Sequence, residues 1–374
     1  MTAPAADVLI VGGGVIGCAL AAELKVRGHR VVVVERGEPG AEASSAAAGM
    51  LSPQSDAVEP SPFFELAMES HHLHAEWASS LLEETGIDVG YRKTGSYRCR
   101  FGDSQSGSAA FDWQRERGLR VEARDARDLE RELDGRLSAE VTSALYFPDE
   151  AVVNPRLLAR AAWVCAERRG VRILSDTTVR TLLIEEGVCR GILTDGGPIR
   201  AGAVVNAAGA WAASFGAGGA AVPVFPVRGQ IVEVRLEGKP LTAIVSSDEA
   251  YVVPRADGTA LLGSTAEHVG FRKGVTAGAV RALVTAGTRL LPSLSSARFE
   301  SAWSGLRPGT PDGLPILGAA SVRGLFYAAG HFRNGILLAP ATARRMADLI
   351  VDGRGADVLT PFSADRFSAT PTLA

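Results

Sequence analysis

The sequence has 374 residues, 46 % of them hydrophobic and 22 % charged, with a formal net charge of −3. That balance belongs to a globular chain with a sizeable core, and it gives no electrostatic case for nucleic acid or an anionic membrane. No apolar run reaches the ~20 residues that span a bilayer, and Cys18, Cys99, Cys165 and Cys189 show no metal or disulfide spacing, so reduced thiols in a cytoplasmic protein are expected.

Regular structure begins with "DVLIVGG" at 7–13, a continuous apolar run of the kind shown by a parallel strand covered on both faces. "VIGCALAAELKVRG" carries Ile16, Leu20 and Leu24 on one stripe and closes at Gly28, which predicts a helix. "RVVVVE" is a second buried strand, so residues 7–35 form a β-α-β unit. "PFFELAMESHHLHAEWASSLLEETG" is an amphipathic helix ending at Gly86, and residues 88–150 break into shorter, more charged segments. "NPRLLARAAWVCAERRG" predicts a helix with Pro155 in its first turn. The strand "VRILSD", glycine-punctuated strands over 178–201 and the buried strand "AVVNAAG" follow. Past an Ala/Gly-rich link, "ASFGAGGAAVP", comes a strand-rich block from about Val224 to Glu300. The chain returns to strand with "GLFYAAG", then makes the polar, glycine-bracketed turn "GHFRNG" and an apolar run leading to a helix from Ala341. Two kinds of segment interleave, which predicts two domains assembled from separate pieces.

Gly12, Gly14 and Gly17 form G-x-G-x-x-G directly after a strand and at a helix start. The first allows the tight turn, the second lets backbone approach a pyrophosphate, and the third lets helix pack on strand. Glu35 ends the next strand, where an acid accepts hydrogen bonds from ribose hydroxyls. A dinucleotide is expected here, and the motif alone fits NAD and FAD equally. "EASSAAAGMLSP" at 42–53 is either a flexible loop or a strip of backbone along an extended cofactor, with Ser44 and Ser45 toward phosphate. "VVNAAGAW" is either an ordinary strand end or a second cover for the cofactor. "SHHLH" puts His71 and His74 one helical turn apart, but no third ligand is evident and no metal is expected.

"VLIVGGGVIG…E", "SSAAAGML", "PDEAVVNPRLL", "VVNAAGAW", "YVVPR", "SGLRPGTPDGLPILG" and "GHFRNGILLAPAT" occur together and in order. In this the chain resembles the D-amino-acid-oxidase-like family of FAD-dependent amine oxidases, most closely the glycine oxidases of thiamine biosynthesis. The likeness covers nearly the whole chain and implies an α/β fold. A Rossmann-like FAD-binding domain from 1–87, 151–218 and 319–366 would interleave with a mixed-sheet substrate-binding domain from 88–150 and 219–318, leaving 367–374 as a tail. It assigns to FAD Gly12, Gly14, Val15, Ile16, Gly17, Glu35, Arg36, Ser44 and Ser45, with Gly49 and Met50 near the flavin ring and Val179 near adenine. Ala208, Gly209 and Trp211 complete that side. Gly330, His331, Phe332, Arg333, Asn334, Gly335, Ile336 and Leu337 would form the turn beside the flavin's pyrimidine end. There a helix start stabilises negative charge near N1 and O2. Some relatives tether FAD through a cysteine just before the C-terminal glycine-rich turn; "SGLRPGTPDGLPILG" has none, so non-covalent FAD is implied.

Arg307 in "SGLRPGT" matches the residue that grips a substrate carboxylate, for which a planar guanidinium fork is suited. Tyr251 resembles the family's carboxylate-binding tyrosine, although a tyrosine in a strand also serves as core. Arg333 matches an arginine at the pocket mouth and has loop anchoring as its other role. No His, Asp or Glu stands out as a base. The activity implied is oxidation of glycine and related small amines, with molecular oxygen as acceptor, by a homotetramer. A dehydrogenase of D-amino acids or D-proline with another acceptor, and a non-catalytic flavoprotein subunit, are the alternatives. "STAEHVGFRKG" at 264–274 is expected to line or abut the pocket.

Overall fold

The computed structural model describes residues 6–102, 109–215 and 221–367. Most of both expected tails and five residues of the Ala/Gly-rich link lie outside the described residues.

The first apolar run forms β1 (Ala6–Val11), helix α1 (Val15–Val26) follows, and β2 (Val31–Val34) pairs parallel to β1, Val8 opposite Val31. Side chains of β1 alternate between two cores. Val8 and Ile10 face α1, while Leu9 and Val11 face the opposite layer, which is why the run is apolar without a break. The sheet grows to eight strands: Arg172–Leu174 lies beyond β2, and Gly197–Asn206 runs parallel on the other side of β1. Leu325–Ala329 joins it in parallel and Ile316–Ala319 antiparallel. The α/β expectation holds. The domain boundary expected at 318/319 cuts through a strand, and its pairing puts all of Ile316–Ala319 in the first sheet.

Helix α2 (Pro62–Thr85) starts where Ser61 Oγ accepts from Phe64 N and stops at Gly86, whose φ of 73° favours a residue without Cβ. It packs over the same core as α1 and Pro155–Arg168.

The second sheet also has eight strands. From one edge inward it is built of β3 (Phe225–Arg235), β4 (Tyr251–Pro254), β5 (Thr259–Gly263) and β6 (Arg298–Gly309), in the spatial order β6, β3, β5, β4. On one face Val232, Val234, Val252 and Leu262 pack under the helix Ala277–Leu290. On the other, Ile231, Val253 and Leu261 pack with Ala48, Met50 and Tyr251. That helix lies inside the stretch expected to be strand-rich. Its start is capped by Thr276, and Leu283, Gly287 and Leu290 are buried with Val280 and Val284 packed beside them, a stripe at helical spacing that the strand-rich reading passed over.

The closing helix, α3 (Gly335–Asp352), corrects a second expectation: it begins six residues before Ala341 and contains Pro340. A proline inside a helix removes one N–H and crowds a carbonyl of the preceding turn. Here α2 makes good the damage. Ser70 Oγ accepts from Ala341 N at 3.1 Å and donates to Leu337 O at 2.6 Å, and His74 Nε2 donates to the same carbonyl at 2.9 Å. A hydroxyl is thereby spliced into the backbone ladder, and the helix continues through the proline.

Candidate active site

A cleft of about 520 Å³ opens where the starts of α1 and α3 meet the inner face of the second sheet. Gly14, Val15, Ile16, Ser44, Gly49, Met50, Gly209, and all of 331–336 line it, together with Tyr251 and Arg307. The structure thus brings together sequence-expected residues from the glycine motif, the small-residue strip, the "GHFRNG" turn and two strands.

The glycines divide by what confines them. Gly12 has φ +109°, and a Cβ there would lie 2.4 Å from Ala207 O; at Gly17 it would lie 2.0 Å from Gly12 O. Gly49, at φ +82°, backs onto Val153 O at 2.2 Å. Those three are demanded by the protein itself. Gly14 and Gly335 differ: neither has a left-handed φ, and a Cβ would first meet Ser44 Oγ at 3.3 Å or His331 Cβ at 3.6 Å. Both face the cleft at a helix start, so the space they leave fits a ligand that must touch backbone. The N–H of Val15 at the start of α1 is taken by Ser44 Oγ at 3.0 Å.

Other expected contacts stand behind the lining. Glu35 accepts from Gly13 N at 2.7 Å and Gly37 N at 3.1 Å, tying the glycine turn to the end of β2 while leaving further acceptor positions. Ser45 Oγ donates to Gly40 O, and Arg36 lies 3.5 Å over the Trp211 ring and pairs with Glu42. Ala208 N donates to Asn206 Oδ1, Val179 opens the strand Val179–Glu185, and Gly330, at φ +73°, backs onto Thr310. Leu337 is buried, its carbonyl turned to α2. His71 and His74 spend Nε2 on the carbonyls of Asp149 and Leu337, and burial holds both below the usual histidine range, His74 at about 4.

The opposite wall is made of side chains. Arg307 on β6 sits opposite Val227 of β3 and donates through Nη1 to Thr265 O at 2.8 Å and through Nη2 to Ser264 Oγ at 2.7 Å. A Cβ on Gly229 would lie 2.2 Å from its Nη1, and one on Gly263 would lie 2.3 Å from the Tyr251 ring. Those two glycines clear the space in which both side chains lie. Burial lowers the pKa of Arg307 and raises that of Tyr251, whose hydroxyl shares Ser264 with the guanidinium. A cation in such a place favours an anionic partner. Arg333 is exposed at the cleft, over the Phe332 ring, and Phe332 N hooks the turn to Pro308 O at 2.9 Å, one residue beyond Arg307.

Three polar residues around the cleft were not singled out from the sequence. Arg255, the last residue of "YVVPR", reaches from the second sheet to the carbonyls of Val153 at 2.7 Å and Ala48 at 2.9 Å, and burial pulls its pKa down to about 10. It holds the small-residue strip in place. Asp56 brings a carboxylate to the cleft, raised by desolvation and opposed by Arg333 and Arg98. Beneath its loop, buried Glu150 accepts from Gln54 N, Ser55 N and Ser55 Oγ; burial pushes it up to about 7. Arg255 and Glu150 act on segments about a hundred or more residues away along the chain, which no local pattern marks.

The DAO family model, described as FAD dependent oxidoreductase, matches residues 7–349. Glycine oxidase of Geobacillus kaustophilus is 39 % identical, with 96 % of this chain and 97 % of that protein covered. A crystal structure of glycine oxidase from the same organism superposes with a TM-score of 0.92 at 38 % identity, covering 96 % of this chain and 98 % of that one. The bifunctional protein ThiO/ThiG of Trichormus variabilis is 36 % identical over 98 % of this chain, which spans only 56 % of that protein's length. Among the described residues no helix is long and apolar enough to cross a membrane.

Proposed function

Because the chain belongs to the DAO family of FAD dependent oxidoreductases, we propose that its cleft oxidises glycine and related small amines, sarcosine and small D-amino acids among them. The observation that carries this is the pairing of Arg307 and Tyr251 in one partly dry cleft with two glycine-led helix starts. The backbone at Gly14 and Val15 would hold the FAD pyrophosphate, and the start of α3 would face the flavin's pyrimidine end. No cysteine lines the cleft, and burial raises the pKa of all four, which supports non-covalent binding. FAD, when bound, would supply the acceptor for the hydride leaving the substrate's Cα, with oxygen taking the electron pair and two protons to become hydrogen peroxide.

The protein's part is binding and orientation. Arg307 takes the carboxylate through the donors that Ser264 and Thr265 leave free, and Tyr251 donates to the same group. Held by one end, the substrate presents its Cα–H in a fixed direction. Its ammonium must lose a proton before an imine can form, and solvent and the lining carboxylates Asp56, Asp248 and Glu249 are the available acceptors. Hydrolysis of the imine from glycine gives glyoxylate and ammonia. The likeness to ThiO/ThiG supports a role in thiamine synthesis.

The test is a screen of small amines against the purified yellow protein. Glycine should bleach the flavin without air, and peroxide should appear once air is admitted. Bleaching without peroxide would mean a dehydrogenase with another acceptor. No bleaching by any amino acid would defeat the assignment.

A further inference from the structure

Arg307 has five N–H donors, and their direction decides whether a carboxylate meets two of them at once. The glycine at 229 gives the guanidinium room, so something else must set its plane. Two atoms do so, Thr265 O and Ser264 Oγ, and both belong to the irregular segment 264–276. That segment is bolted to β3. Arg228 and Glu267 exchange both backbone hydrogen bonds at 2.9 Å, and Gln230 N donates to Thr265 Oγ1 at 3.0 Å. The Glu267 carboxylate then gathers three side chains: Thr265 Oγ1 and Gln230 Nε2 donate to Oε1, each at 2.6 Å, and Arg228 Nη2 donates to Oε2 at 2.5 Å.

We propose that Glu267, acting through Thr265, is a positioning residue for the carboxylate grip of Arg307. This rests on the assignment of Arg307 to a substrate carboxylate. Glu267 touches no cleft atom itself; it fixes the hydroxyl of Thr265, whose carbonyl fixes the guanidinium. Hydrogen bonding from Arg228, then from Thr265 and Gln230, holds the carboxyl at about 2, so the bolt stays charged at any working pH.

The test uses the holoenzyme and glycolate, a carboxylate without an amine, with binding read from the flavin's visible absorbance. Glu267→Gln and Thr265→Val should each weaken glycolate about tenfold, the scale of one hydrogen bond to a charged group. The KM for glycine should rise by a similar factor while kcat stays within about twofold, as expected for lost ground-state binding. Thr265→Ser keeps the hydroxyl and should restore both values. Should Glu267→Gln fail to fold, the Thr265 pair decides alone. Glycolate affinity and KM near wild type in Thr265→Val, or a loss that Thr265→Ser shares, would overturn the proposal; so would FAD loss in place of glycolate loss. Wild-type protein indifferent to glycolate would instead defeat the carboxylate assignment, and this inference with it.

Discussion

The two walls of the cleft are made of different material. One is backbone: the N–H groups at the starts of α1 and α3, exposed by Gly14 and Gly335, with the strip from Ala43 to Met50 between them. The other is side chain: Arg307 and Tyr251, set on β6 and β4 with β3 and β5 between them, and given room by Gly229 and Gly263. A backbone wall depends on close approach, and it suits a cofactor that stays. The side-chain wall depends on hydrogen-bonded orientation, and it suits a ligand that comes and goes.

The sharpest way to separate the walls is Arg307→Ala. Losing one half of a desolvated charge pair costs about 2–5 kcal/mol, so kcat/KM for glycine should fall by roughly 30- to 3,000-fold. FAD content should stay normal; loss of FAD would mean that the walls are not independent. Glu150, under the loop that carries Asp56, tests the rim. Burial raises this acid above its unfolded value, so its ionisation erodes wild-type stability as pH climbs from 4.5 to about 7. Glu150→Gln removes that ionisation, so denaturant melts should show the variant gaining on wild type across this window by up to ~3 kcal/mol. A pH-independent difference would place the carboxyl in an ordinary environment.

The backbone wall is tested by paired glycines. Gly17→Ala drives a Cβ into Gly12 O and should destabilise the apoprotein by about 1–3 kcal/mol. At Gly335 a Cβ would meet nothing closer than 3.6 Å, so in Gly335→Ala apoprotein stability should hold while FAD affinity, read by fluorescence titration, falls. Equal effects from the two would erase the distinction between glycines kept for packing and glycines kept for a ligand. The smallest effect is expected from Ser70→Ala, which strips the splice from α3 and should cost about 1–2 kcal/mol in a thermal or urea melt.

The same contrast explains what the sequence disclosed. The β1–α1–β2 unit announced itself because a buried parallel strand, a glycine turn and a helix start each leave a local mark within thirty residues. Arg307 and Tyr251 were found only through the family motifs around them, since an arginine in a strand carries no sign of what it faces. Thr265 and Glu267 lay in a stretch expected near the pocket and Arg255 ended a quoted motif, but their contacts, like that of Gly229, exist only once β3, β4, β5 and β6 are in register. The start of α3 was misplaced for a related reason. Pro340 is a helix breaker by local rule, and the serine that overrules it lies 271 residues away along the chain.

That splice also changes how the molecule opens. In an unbroken helix the amide of Ala341 would be released to solvent by local fraying, one turn at a time. Here its hydrogen is held by a hydroxyl of another helix, so it exchanges only when α2 and α3 part. The two helices therefore form one cooperative unit, and deuterium uptake around Ala341 reports the separation of layers instead of the unwinding of a helix end.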